Sequence, residues 1–175
     1  QHATALVCER ALARRQQAAL SPAEEALDPS ARAVAGAVRT HLAKREFALA
    51  LTAVEDSVLP PTVRAALRGF ALQGQGRHAE ALLAFAAARV AQQPAYLHLC
   101  EALSALAVKQ TAVALAAVDR ARETMPDDLL VWQVQVSALI QNQRGDEAVA
   151  RLNDLAAEAL EPAEQGAQSG THAVA

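Results

Sequence analysis

The sequence predicts an all-α protein made of antiparallel helix hairpins, and three observations predict it. About a quarter of the 175 residues are alanine, the best helix former, while aromatic residues make up only 3%. Pro, Gly and short polar clusters cut the chain into segments of roughly 12 to 17 residues, the length of ordinary helices. Those segments recur with a fixed period, which is the mark of a repeat architecture. At this length the chain is one domain or one short repeat array, with enough residues to bury a core.

Taken in order, Thr4–Leu20 reads as a first helix that stops at Ser21-Pro22. Ser21 and Glu24 then have the spacing of a capping box with Pro at the first helical position, so a short second helix is expected there. Asp28-Pro29 repeats the device. From Ala31 onward the breaks fall at Lys44-Arg45, Pro60-Pro61, Gly74–Gly76, Pro94, Lys109-Gln110, Pro126 and Asn142–Gly145. Helices joined by loops this short pack antiparallel with their neighbours. From Glu161 the chain reads EPAEQGAQSGTHAVA and has little to bury, which assigns it to a disordered tail. The expected organisation is an N-terminal helical cap over 1–30, a repeat domain over 31–160 and a tail over 161–175.

Ala81, Ala114 and Ala148 are spaced 33 and 34 residues apart. Phe85, Val118 and Leu152 follow them by four, and Ala88, Ala121 and Leu155 by seven. Sixteen residues before each alanine lie Ala65, His98 and Trp132, and a weaker earlier copy contains Val34, Ala50, Val54 and Ser57. Small residues let helix axes approach, and a bulky one a turn away fills the space that remains. No single pair can bury both its faces, so neighbouring pairs must stack.

Composition and motifs also exclude functions. The formal charge is −3, distributed as +3 over 1–89 and −6 over 90–175, which gives no basic field for nucleic acid. No apolar run reaches the roughly 18 residues of a membrane span. Cys8 and Cys100 lack any ligand spacing and read as small core residues. Gly69 and Gly74 have the spacing of a phosphate-binding loop, but Gln75 and Gly76 stand where Lys and Ser or Thr are required, so close helix contact and a turn explain these glycines better. Ser169 is misplaced for a nucleophile elbow. The five histidines, His2, His41, His78, His98 and His172, form no recognisable metal pattern. Glu24-Glu25, Asp127-Asp128 and Asp146-Glu147 sit at helix starts, where the dipole favours them. We therefore expect no cofactor, no metal and no catalytic site.

The spacing resembles the tetratricopeptide repeat, whose pattern is W-x2-L-G-x2-Y, then A-x3-F, then Pro. One copy matches at Gly69, Leu72, Gly76, Ala81, Phe85 and Ala88, the next at Ala114, Ala121 and Pro126, and the third at Trp132, Leu139 and Ala148. These copies cover about 62–160, and the degenerate one extends the resemblance to about 31. Arg68, Glu101 and Gln135 depart from the family by occupying its Leu slot. The resemblance implies a right-handed α-solenoid of three to four repeats after an N-terminal helix, with the first helix of each pair lining a concave side. It further implies that Val63, Ala66, Phe70 and Gln73, then Tyr96, Leu99, Leu103 and Leu106, then Leu130, Gln133, Ser137 and Ile140, point into that side. None is Lys, Arg or Asn, the residues with which family members clamp a peptide carboxylate.

An apolar groove suits an amphipathic or hydrophobic segment of a partner protein, with Val63, Phe70, Tyr96, Leu99, Leu103, Leu106, Leu130 and Ile140 as contacts and Phe70 and Tyr96 as anchors. The C-terminal helices or a second copy of the chain are the other expected occupants of that groove. The expected function is an adaptor or chaperone, similar in size to small bacterial secretion chaperones. The alternative is an envelope scaffold that self-associates through the same face. Gln rather than Met at position 1 leads us to expect a lost upstream piece, so the compartment reads as cytoplasmic, or periplasmic where that piece was a signal peptide.

Overall fold

The computed structural model describes residues 25–88 and 95–168, the side chains beyond Ala157 excepted. The expected helix Thr4–Leu20, the Ser21 capping box, Cys8, the break at Pro94 and residues 169–175 lie outside the described residues. The described residues form eight helices and no strand: α1 Pro29–Ala43, α2 Phe47–Glu55, α3 Pro61–Gly74, α4 His78–Ala87, α5 Ala95–Ala107, α6 Thr111–Thr124, α7 Leu129–Gln141 and α8 Gly145–Gln168. The described part of the protein is all-α, as its composition predicts. The last helix passes Glu161, where the sequence predicts a tail, by seven residues. Ala, Glu and Gln in this stretch favour that continuation, whereas Pro162 and Gly166 oppose it.

The helix starts follow from capping chemistry. Pro29 and Pro61 open α1 and α3 at positions where a missing N–H costs nothing. The Asp28 carboxylate accepts from the Ser30 hydroxyl at 2.6 Å and from the Ser30 and Ala31 amides at 2.8 and 2.9 Å, and these bonds hold its pKa below the usual value. Asp128 caps α7 in the same way, accepting from the Leu130 amide at 2.9 Å.

One turn recurs four times. Arg45, Gly76, Lys109 and Gln143 each follow a helix C-terminus with φ between 60° and 75°. The next residue donates its amide back to the carbonyl five positions earlier: Glu46 to His41, Arg77 to Leu72, Gln110 to Ala105 and Arg144 to Leu139, at 2.8–2.9 Å. This is the Schellman closure of a helix. It joins α1 to α2, α3 to α4, α5 to α6 and α7 to α8 as hairpins, at intervals of 31, 33 and 34 residues. Arg77 and Arg144 sit one residue after two of these turns, and each guanidinium grips a carboxylate three residues on, Glu80 and Glu147, with Nη2–Oε2 distances of 2.6 Å. The hydrogen bond lowers the pKa of each glutamate and raises that of each arginine.

Only Gly76 among the four turn residues is free of the left-handed penalty of a Cβ, which is about 1–2 kcal/mol. Replacing Lys109 by Gly is therefore expected to stabilise the protein by up to about 1 kcal/mol, after the greater entropy of an unfolded glycine is offset. Urea unfolding measures it. A loss of stability would show that the Lys109 side chain contributes more than its backbone strain.

Every helix packs on its chain neighbours, and α1 also touches α3, α3 touches α5 and α5 touches α7. No comparable contact joins α1 to α5 or to any later helix. The core runs continuously through the pairs, from Val38 and Val54 through Leu67, Leu72 and Phe85 to Leu99, Val118 and Val131. The repeated alanines Ala50, Ala81, Ala114 and Ala148 are all buried, as close helix approach requires. Gly69 and Gly74 serve the same purpose. A Cβ on Gly69 would lie 2.5 Å from the Phe85 ring, and one on Gly74 would overlap the Phe47 ring. Polar bonds tie successive pairs. Gln73 donates from Nε2 to the Cys100 carbonyl and to Ser104 Oγ, each at 2.9 Å, and Thr111 Oγ1 lies 3.0 Å from Asn142 Oδ1.

Candidate functional site

The apolar stripe of the odd-numbered helices divides into a buried part and an accessible part. Val63, Phe70, Tyr96, Leu99 and Leu130 are buried. Phe70 stacks on Tyr96 with ring centroids 5.9 Å apart and tilts against Phe85 at 5.4 Å, so it packs α3 against both α4 and α5. The two residues expected as partner anchors are therefore brought together, as part of the wall between helix pairs. The reason is the width of the stripe: successive odd helices lie against each other and cover the residues that face sideways. Leu103 and Leu106 are half-buried at the edge of the core, and Ala66 and Gln73 are half-buried on α3. On α7 the face opens, with Gln133 and Ser137 exposed and Ile140 60% exposed. Leu106 and Ile140 occupy the same repeat position, 34 residues apart, on helices that touch. The reachable part of the predicted face is thus Leu103, Leu106 and Ile140 with neutral polar neighbours.

Sequence reasoning passed over a polar cluster between α5 and α6. Glu101 is 1% exposed, and Arg120 reaches its Oε2 at 3.2 Å from Nη2. His98, one turn before Glu101, places Nδ1 3.8 Å from the same oxygen and 3.5 Å from Arg120 Nε. Beside it, Gln135 Nε2 donates to Asp119 Oδ1 at 2.9 Å. The available signal was the polar residue in the Leu slot, since Glu101 and Gln135 are both buried there. A buried carboxylate needs such a cation, and Arg120, itself partly exposed, provides it.

A shallow recess of about 610 Å³ lies between the α6–α7 turn and α8, lined by Arg122, Glu123, Asp127, Trp132, Arg151 and Asp154. Trp132 donates from Nε1 to the Pro126 carbonyl at 2.8 Å, which fixes that turn. Within the recess Arg151 contacts Asp154 at 3.3 Å. It shares no residue with the odd-helix face.

No family model matches this sequence, and neither a curated protein nor a solved structure matches it significantly. Among the described residues no helix is long and apolar enough to cross a membrane.

Proposed function

We propose that the four hairpins stack as a right-handed solenoid of the tetratricopeptide kind, and that the chain is a non-enzymatic adaptor or chaperone. In this reading it binds a hydrophobic or amphipathic segment of a partner protein along the odd-helix face. The supporting observation is the register of Leu106 and Ile140, apolar side chains at one repeat position on adjacent helices, left accessible beside Gln133 and Ser137. Surface of this kind rewards burial without imposing a charge requirement on the partner. Full burial of one such side chain contributes roughly 1.5–3 kcal/mol, so Leu103, Leu106 and Ile140 support affinities of about micromolar order at most once ordering costs are subtracted.

Photo-crosslinking residues placed separately at Leu106 and Ile140 test this. Leu83 of α4, 73% exposed on an even helix, is the control. A common crosslinked protein from positions 106 and 140, and none from position 83, is expected. Equal labelling at all three positions, or none at 106 and 140, would remove the odd-helix face as a binding surface.

A further inference from the structure

Each hairpin carries a buried alanine followed directly by a bulky apolar residue: Ala50-Leu51, Ala81-Leu82, Ala114-Leu115 and Ala148-Val149. A second bulky residue lies four positions after each alanine, at Val54, Phe85, Val118 and Leu152. In the first three hairpins Val54, Phe85 and Val118 are fully buried, Leu82 and Leu115 are buried, and Leu51 packs on the core. In the fourth, Val149 is 58% and Leu152 49% exposed. The succeeding hairpin makes the difference. Leu82 and Leu115 share a core cluster with Ala105 of α5 and with Ala138 and Leu139 of α7, the odd helices of the hairpins that come after theirs. On α8 the same apolar projections stand open.

The first helix presents the complementary half of that joint. Aligned on the turns at Arg45 and Gly76, Gly36 and Thr40 of α1 correspond to Leu67 and Ala71 of α3. The later turns extend the correspondence to Cys100 and Ser104 of α5 and to Val134 and Ala138 of α7. All six interior residues are buried, whereas Gly36 and Thr40 are exposed, and a Cβ built on Gly36 meets nothing within 4 Å. Ala33 and Ala37 beside them are exposed as well, so α1 offers a flat surface of small residues. The charges of the two ends also match. Residues 29–45 hold four basic residues and no acidic one, while α8 from Gly145 to Ala157 holds three acidic residues, Asp146, Glu147 and Asp154, and one basic, Arg151.

We infer that a second copy of this chain stacks on the first head to tail, with α8 of one copy on α1 of the next, continuing the joint that α4 makes with α5 and α6 with α7. This surface is separate from the odd-helix face of the proposed function. A head-to-tail contact is heterologous, so each added copy leaves a further face to fill and the contact builds chains, or rings where the rotation closes. Its charge component weakens as salt shortens the screening length.

Sedimentation velocity on the full chain provides the test, from about 10 µM to about 1 mM protein. At low salt the mean mass is expected to rise with concentration above the 18.4 kDa of one chain, and to fall back toward it at about 0.5 M salt. Two variants give the decisive arm. One carries Val149→Glu and Leu152→Glu, the other Ala33→Glu and Gly36→Glu, and all four positions are exposed, so helicity by circular dichroism should persist. Each variant alone should stay monomeric. Mixed, they should form a 1:1 complex that stops at two chains, because one intact α8 face and one intact α1 face remain. A wild-type chain monomeric throughout would overturn the inference and leave residues 1–24 or another protein as the cover of α1. Dimerisation of the α1 variant by itself would overturn it in favour of a symmetric α8–α8 contact.

Discussion

Phe85→Ala is expected to lower stability by about 3–5 kcal/mol, the largest effect of any single substitution considered. Its ring is fully buried, lies against Phe70 and fills the space beside Gly69. The same contact predicts the effect of adding volume. In Gly69→Ala the new Cβ would lie 2.5 Å from Phe85 Cε1 and 2.6 Å from Cδ1, so the ring must shift within a packed core. Overpacking of this kind costs about 1–3 kcal/mol, against about 1 kcal/mol gained from the helix propensity of alanine. The next hairpin holds Ala102 and Val118 at the equivalent positions, both buried, so there a smaller side chain in place of the ring goes with a methyl group in place of the glycine hydrogen. Gly69→Ala combined with Phe85→Val should therefore cost less than the sum of the two single changes, with a coupling above about 0.5 kcal/mol. Denaturant unfolding of the four proteins gives the cycle. Strict additivity would mean that the two residues do not share one packing space.

The second large effect is an asymmetry within the polar cluster. Arg120→Leu should destabilise by about 1–3 kcal/mol, because it removes the cation facing a carboxylate that water cannot reach. Glu101→Leu should cost distinctly less, since Arg120 is partly exposed and its guanidinium can turn to solvent. A larger loss for Glu101→Leu than for Arg120→Leu would contradict the description of Glu101 as the desolvated member of the pair.

The hairpin breaks were legible because Pro and Gly impose backbone restrictions that need no tertiary information, and Pro29, Pro61 and Gly76 act where the sequence placed them. The repeat was legible through its alanines, since close approach of helices admits few alternatives. At the other three turns the positive-φ residues, Arg45, Lys109 and Gln143, are not glycines, so their conformation had no local sign. Periodicity identified the apolar stripe of each odd helix, yet it does not tell which part of that stripe a neighbouring helix covers. Phe70 and Tyr96 consequently read as surface anchors although they form the wall between hairpins. Leu152 likewise read as one more copy of Phe85 and Val118, and it differs only because no further described hairpin comes after it.

In the proposed stack the hairpins follow one another in chain order, with one end at α1 and the other at α8, and distances between their turns test that arrangement most directly. Spin labels at Lys109 and Gln143, and in a second protein at Arg45 and Gln143, all turn positions at one end of their hairpins, give two pairs for dipolar spectroscopy. Neighbouring helices pack 8–10 Å apart, so one step separates Lys109 from Gln143 by roughly 10 Å, and three steps separate Arg45 from Gln143 by roughly 20–30 Å. A long Arg45–Gln143 distance beside a short Lys109–Gln143 distance is the predicted result. Two equally short distances would mean that the first and last hairpins meet in a closed bundle, which leaves neither end free.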